Sequence, residues 1–340
     1  GGGVIPGYRN VTGYTPGYLN PITGTTTESG PRRLYTEPSL FTDGINSTLM
    51  ELNATIAIAE NLLGTDTKLF KTVLPDTDCA DQSVCTDFSN AVLADKTAAT
   101  LKMKDFISFA RGFEDSDNDG VFDDKRSWFM GDPLHSRPQP INYGGSSQTS
   151  DIRILMGSND GFMHMFGADD GVEDWAFMPR SVMPILDRLL KNNAGISPVH
   201  PYSVDGSAVV LTNDNNNDGT LSAVDGDTVY AYFGLRRGGK HIYALNISDP
   251  DDPKLMWRIG ADETEFTQLA QTWSQPQPIF IKLDDDNDSS TAPVGRWALI
   301  FGGGYNGDDD GDDMPDTGET TLGKDEFDGS DLTHTGSDDY

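Results

Sequence analysis

Ser136-Arg137-Pro138-Gln139-Pro140-Ile141 recurs as Ser274-Gln275-Pro276-Gln277-Pro278-Ile279, 138 positions later. Midway, Asp205-Gly206-Ser207-Ala208-Val209 takes the analogous place, which sets a period of about 69 residues. Other features keep the same order. Ile154-Leu155-Met156-Gly157 corresponds to Ala231-Tyr232-Phe233-Gly234 and to Leu299-Ile300-Phe301-Gly302. Seven residues after the first two of these glycines stand His164 and His241, read as equivalent structural strand positions. An acidic turn and a Trp strand follow, around Trp175 and Trp257.

Each unit therefore offers four short strands: 138–143, 152–157, 162–167 and 173–178, then 207–212, 228–234, 240–247 and 254–259. Four antiparallel strands per repeat is the blade of a β-propeller. The expected class is mainly β, a partial propeller preceded by an irregular and helical N-terminal segment. The expected division is 1–127 as connecting segment, 128–307 as about three blades, and 308–340 as an acidic tail or insertion. Propellers close with roughly four to eight blades, so three units read as part of a longer ring. Within 1–127, apolar spacing predicts helices over 46–63 and 95–111, the second ended by Gly112.

Two Asp-rich stretches read as calcium loops. They are Asp115-Ser116-Asp117-Asn118-Asp119-Gly120-Val121-Phe122-Asp123 and Asp214-Asn215-Asn216-Asn217-Asp218-Gly219-Thr220-Leu221-Ser222-Ala223-Val224-Asp225. A hard cation takes oxygens from positions 1, 3 and 5, the carbonyl of position 7 and a later acid, with glycine at 6 for the turn. The candidate ligands are Asp115, Asp117, Asp119, Val121 and Asp123 in the first loop. In the second they are Asp214, Asn216, Asp218, Thr220 and Asp225. Arg126 stands at position 12 of the first loop, so Asp123 at position 9 has to close it. The first loop is expected to fix the direction in which the chain leaves the preceding helix. The second reads as a hairpin insertion within a blade. Asp284, Asp286 and Asp288, and Asn306, Asp308 and Asp310, are weaker versions of the pattern.

Composition limits the partners. There are 24 Lys and Arg against 54 Asp and Glu, a net charge of −30, which repels nucleic acid and anionic membranes. No apolar run of about 18 residues offers a membrane span. Cys79 and Cys85 permit a small disulfide loop or two free thiols. Gly302-Gly303-Gly304-Tyr305-Asn306-Gly307 matches a nucleotide-loop pattern, but the carboxylates of Asp308, Asp309 and Asp310 follow it and would repel a phosphate. No catalytic motif is found.

The motifs resemble a known family. Phe106-Ile107 and Arg111-Gly112-Phe113 run into the first Asp-rich loop. Then come Trp128, Gly131-Asp132-Pro133-Leu134-His135-Ser136-Arg137-Pro138, Asn142-Tyr143-Gly144, Gly157-Ser158-Asn159-Asp160-Gly161, Val204-Asp205-Gly206-Ser207 and Gly302-Gly303-Gly304-Tyr305-Asn306. This order resembles the C-terminal propeller of the PilY family, secreted proteins associated with the tips of bacterial type IV pili. The resemblance implies calcium in the Asp-rich loops, and roles in pilus assembly, control of retraction and surface adhesion. It implies minor pilins or a tip complex, and host or abiotic surfaces, as partners, and an extracellular place at the pilus tip or cell surface. Two other readings stand beside it: a calcium-dependent adhesin or lectin unrelated to pili, and an enzyme like the quinone-dependent dehydrogenases. The second is disfavoured, because three units do not enclose a central cofactor.

Overall fold

The computed structural model describes residues 32–37, 47–52, 105–122, 124–126, 130–145, 150–169, 171–191, 200–260, 263, 266–283 and 294–304. Three short strands come from the N-terminal segment: β1 (Leu34–Thr36), β2 (Ser47–Thr48) and β3 (Met50–Glu51). Residues 105–110 are helical, and β4 (Phe113–Glu114) and β5 (Asp124–Lys125) form a two-stranded ribbon after them.

The repeat then yields its strands close to where the recurring motifs place them. The first unit forms β6 (Gln139–Asn142), β7 (Ile152–Gly157), β8 (Met163–Gly167) and β9 (Glu173–Met178), each antiparallel to the next. The second forms β10 (Val209–Asn213), β11 (Thr228–Gly234), β12 (His241–Asn246) and β13 (Lys254–Gly260) in the same meander. A bulge falls between Met165 and Phe166 in one and between Ala244 and Leu245 in the other, opposite the Trp strand in both cases. In the third unit, β14 (Gln277–Leu283) and β15 (Val294–Ile300) pair as a hairpin. Among the described residues the fold is thus two four-stranded blades and the first hairpin of a third, not a closed ring.

The glycine that ends the second strand of each complete unit sets how closely the units approach. A Cβ on Gly157 would overlap the Val204 carbonyl oxygen, and one on Gly234 would stand 2.7 Å from that of Thr272. Val204 and Thr272 lie on the segments leading into the next unit's first strand. Serine hydroxyls complete the junction. Ser136 Oγ accepts from the Gly157 amide at 2.9 Å, and Ser274 Oγ from the Gly302 amide at 2.8 Å. Between the blades, Phe177 of β9 meets Phe233 and Tyr243 edge-on, with centroids at 6.4 and 5.8 Å. Edge-to-face geometry suits the ring quadrupoles and adds to the area buried.

The N-terminal strands cover the outer edges of both blades. β1 runs parallel to β9, with Leu34 opposite Ala176, and β2 runs antiparallel to β13. Residues 47–51, expected to open a helix, are therefore strands. Leu49 and Leu52 are buried as expected, but the unpaired edges of β1 and β13 offer backbone partners that outweigh local helical spacing. The remainder of 46–63 and residues 95–104 lie outside the described residues. Gly112, at φ 99°, ends the 105–110 helix as its sequence position predicts.

A buried, charge-balanced cluster ties β1 to the first blade. Arg32 holds Glu173 through two hydrogen bonds of 2.6 and 2.7 Å and donates to the Ala110 carbonyl at 2.9 Å. His164 Nδ1 lies 2.6 Å from Glu173 Oε1, and its Nε2 lies 3.2 Å from Asp160 Oδ1. All four side chains are buried. Burial pushes His164 down, but the Asp160 and Glu173 carboxylates outweigh it and its pKa is raised. Burial likewise pushes Asp160 up, yet His164 and Arg32 bring it to about 2.

The two repeat histidines are not equivalent. Gly157 pairs with Met163, whereas Gly234 pairs with Ile242, so the turn between the second and third strands is two residues longer in the second blade. Tyr243 thus takes the place of His164, and His241 that of Phe162. Counting from the glycines failed because an insertion lies inside the turn.

Candidate metal centres

The first Asp-rich loop is the tip of the β4–β5 ribbon. Glu114 lies opposite Asp124, and the Arg126 amide donates to the Gly112 carbonyl at 2.9 Å. The chain enters and leaves side by side, so the loop closes on itself and is not a hinge that steers the chain out of the helix. Arg126 folds back on that helix. Its guanidinium lies 3.8 Å from the Phe109 ring centroid and donates to the Phe109 carbonyl at 3.0 Å. The position-12 side chain is thus engaged with the helix.

The second loop joins β10 to β11, with Asn213 opposite Thr228. Its first half repeats the first loop bond for bond. The Gly120 amide donates to Asp115 Oδ2 at 3.1 Å, and the Gly219 amide to Asp214 Oδ2 at 2.8 Å. The Asp119 amide donates to Asp117 Oδ1 at 3.2 Å, and the Asp218 amide to Asn216 Oδ1 at 3.0 Å. The Val121 and Thr220 amides donate to Asp119 and Asp218, each at 2.8 Å. Asn118 and Asn217 both adopt left-handed backbone, φ 60° and 58°, followed by Gly120 and Gly219 at 86° and 81°. Asn tolerates that conformation better than most residues, and Gly adopts it freely.

The closing acids are a different matter. In the first loop the Ser116 amide donates to Asp124 Oδ2 at 3.0 Å, and its hydroxyl to the same oxygen at 2.5 Å. In the second the Asn215 amide donates to Asp227 Oδ1 at 2.8 Å, and the Ser222 amide to Asp227 Oδ2 at 3.0 Å. Asp124 and Asp227 thus lock position 2 of the two loops, a role that spacing did not assign. Strand pairing selects them, because each sits at or beside the start of the returning strand. Asp123 lies outside the described residues. Asp225 sits in a 3-10 turn, Ala223–Asp225, and does not gather with Asp214 and Asp218.

The loops differ in readiness for a cation. Asp115, Asp117 and Asp119 bring carboxylate oxygens within 4.8 Å of one another. Asp115 Oδ1 is shielded from water with no hydrogen-bond partner. A cation bound at that oxygen would supply the partner it lacks. In the second loop both Asp214 oxygens accept amides, and Asn216 Nδ2 donates to Asp218 Oδ2 at 3.0 Å. The first loop therefore fits a calcium ion better, through Asp115, Asp117, Asp119 and the Val121 carbonyl.

The second loop is instead docked on its neighbour. The Leu221 amide donates to the Tyr143 carbonyl at 2.9 Å, and a Cβ at Gly144 would stand 2.8 Å from Thr220 Cα. An insertion of the second blade thus rests on the first. Asp284–Asp288, residues 305–340, Cys79 and Cys85 lie outside the described residues. No described helix is long and apolar enough to cross a membrane.

A sequence model described as the PilY1 beta-propeller domain matches residues 121–317. The type IV pilus biogenesis factor PilY1 of Pseudomonas aeruginosa strain PAK is 30% identical over 227 residues, 61% of this chain and 18% of that protein. The type IV pilus biogenesis factor PilY1 homolog of Xylella fastidiosa strain Temecula1 is 28% identical over 251 residues, 67% of this chain and 18% of that protein. The crystal structure of the Pseudomonas aeruginosa PilY1 C-terminal domain is similar at a TM-score of 0.30 and 30% identity, over 46% of this chain and 25% of that one. The chain spans about a fifth of the length of the curated relatives it matches.

Proposed function

We propose that this chain, which belongs to the PilY1 beta-propeller family, works in the type IV pilus as a calcium-braced module, with roles in pilus assembly, retraction control and surface adhesion. Membership of that family supports the pilus setting. The observation that supports calcium is the first loop, with three gathered carboxylates and an orphaned, water-shielded Asp115 oxygen. Bound calcium would offset the mutual repulsion of these carboxylates and would stiffen the β4–β5 ribbon. The chain's own residues fix the loop around it through the Gly120 and Val121 amides and Asp124.

The reading places the protein outside the cell, at the pilus tip or cell surface, with minor pilins or a tip complex and host or abiotic surfaces as partners. It is a binding module and not an enzyme, and it assigns no catalytic residue. The test is genetic, in the host and in the full-length gene. Deletion should abolish surface pili and attachment, and the wild-type allele should restore both. An allele carrying Asp115→Asn and Asp119→Asn should be expressed yet fail to restore them. Unchanged piliation and attachment after deletion would sink the pilus reading. Full rescue by the loop allele would sink the calcium part alone.

A further inference from the structure

A polar cavity of about 250 Å³ opens where the segments leading into β6, β10 and β14 converge on the end of β11. His135, Arg137, Ser207, Arg236, Trp273 and Gln275 are among the residues that line it. All three units contribute, so the cavity exists only once the repeat has folded. Its charge is opposite to that of the chain. In a molecule of net charge −30, two arginines and a histidine face one small space.

The two guanidinium groups are incompletely neutralised. The buried Asp205 carboxylate is 2.7 Å from His135 Nδ1 and 3.5 Å from Arg236 Nε. It also accepts from Asn159 Nδ2 at 3.4 Å. Arg236 Nε is shielded from water and lacks a hydrogen-bond partner. The Arg137 guanidinium has no hydrogen bond or ion pair among the described residues; only its backbone amide is engaged, by Ser207 Oγ at 3.0 Å.

The backbone adds an independent observation. Arg236 and Arg237 sit in the turn that is two residues longer than its counterpart in the first blade. Arg236 is held in the left-handed region at φ 54°, costly for a long side chain and kept only where the surroundings enforce it. The enforcing contacts are its amide to the Thr272 carbonyl, 3.2 Å, and its guanidinium stacked 4.8 Å from the Trp273 centroid. Arg237 stacks on the same ring at 5.3 Å. The insertion thus aims a pinned guanidinium at the cavity.

We propose that this cavity binds a hydroxylated carboxylate of the sugar-acid class, its carboxylate held by Arg137 and Arg236. A guanidinium fork matches a planar carboxylate in two parallel bonds. The Ser274 hydroxyl, which accepts from the Gly302 amide, keeps its proton to donate, and the Gln275 amide both donates and accepts, which suits neighbouring hydroxyl groups. The volume lies below the roughly 300–1,000 Å³ of pockets for drug-sized ligands, so one sugar-acid unit is the fitting size.

Calorimetric titration of the full chain at fixed chloride tests this, with glucuronate, glucose and inorganic phosphate as probes. Glucuronate should bind saturably, glucose should not, and phosphate should bind more weakly than glucuronate. Arg137→Ala, at an exposed position, should weaken glucuronate by about tenfold or more without shifting the thermal midpoint, and Arg137→Lys should restore only part of it. Absence of glucuronate binding, or binding indifferent to Arg137→Ala, would overturn the site. Phosphate binding as tightly as glucuronate would overturn the sugar-acid class.

Discussion

Gly157 and Gly234 show how single residues set the spacing of blades. Neither glycine is among those with positive φ, so backbone freedom is not what requires them there. The requirement is steric, because each second strand ends against a carbonyl oxygen of the segment entering the next unit. A methyl group at either place forces the strand and its neighbour apart. Gly234→Ala should cost about 1–3 kcal/mol, the usual range for overpacking a rigid site, read as a lower urea midpoint. Gly171→Ala, where a Cβ meets no atom within 4 Å, isolates the contribution of backbone strain, since Gly171 has φ 68°. A Gly234→Ala protein as stable as the parent would show that the contact yields freely.

At the scale of the element, the Arg32–Glu173–His164–Asp160 cluster fastens a three-residue strand to a blade. β1 is too short to hold by its ladder alone, and the buried ions supply a second attachment. The pH dependence follows from the direction of each shift. Stability from the raised His164 is fully present below the imidazole's unfolded value of about 6.5, and is lost as pH rises through the raised folded value. Stability from Asp160 is present above about 3.9 and is lost as pH falls toward about 2. The cluster therefore contributes most between about pH 4 and 6.5. His164→Gln should destabilise by about 3–5 kcal/mol within that window, because it breaks a buried charge set. The gap between parent and variant should narrow in alkaline buffer. A gap of constant size from mildly acidic to alkaline pH would rule out a charged His164.

For the whole molecule, the governing facts are a net charge of −30 and, among the described residues, sheet edges left without a partner strand. The N-terminal strands cover the outer edges of both blades, while the β14–β15 hairpin leaves Phe280 and Trp297 exposed, their rings 5.4 Å apart. Bound calcium would act on both stability and self-repulsion, and the two effects separate with salt. Sodium chloride screens exposed charges over a Debye length of about 8 Å at physiological strength but does not replace a coordinated ion. Calcium at a hundredfold excess over its dissociation constant should stabilise the chain by about 2.7 kcal/mol. The accompanying rise in thermal midpoint should persist in high sodium chloride and vanish in Asp115→Asn/Asp119→Asn. A rise that salt abolishes would mean screening, not a site.

The sequence by itself determined the repeat, the strands of both blades and the first half of each Asp-rich loop. These depend on the recurrence of short apolar runs at a fixed period and on turn residues such as Asn118 and Gly120, which act over a few neighbours. It did not assign Asp124 and Asp227 to the amides of loop position 2, where strand register carries them. Nor did local spacing reveal that 47–51 are strands, because their partners lie far along the chain in β1 and β13. The cavity between Arg137 and Arg236 was equally invisible, since its walls come from three units and from an insertion that counting overlooked. Only tertiary structure brings such residues together, because hydrogen-bond partners and buried charges are chosen by proximity in space.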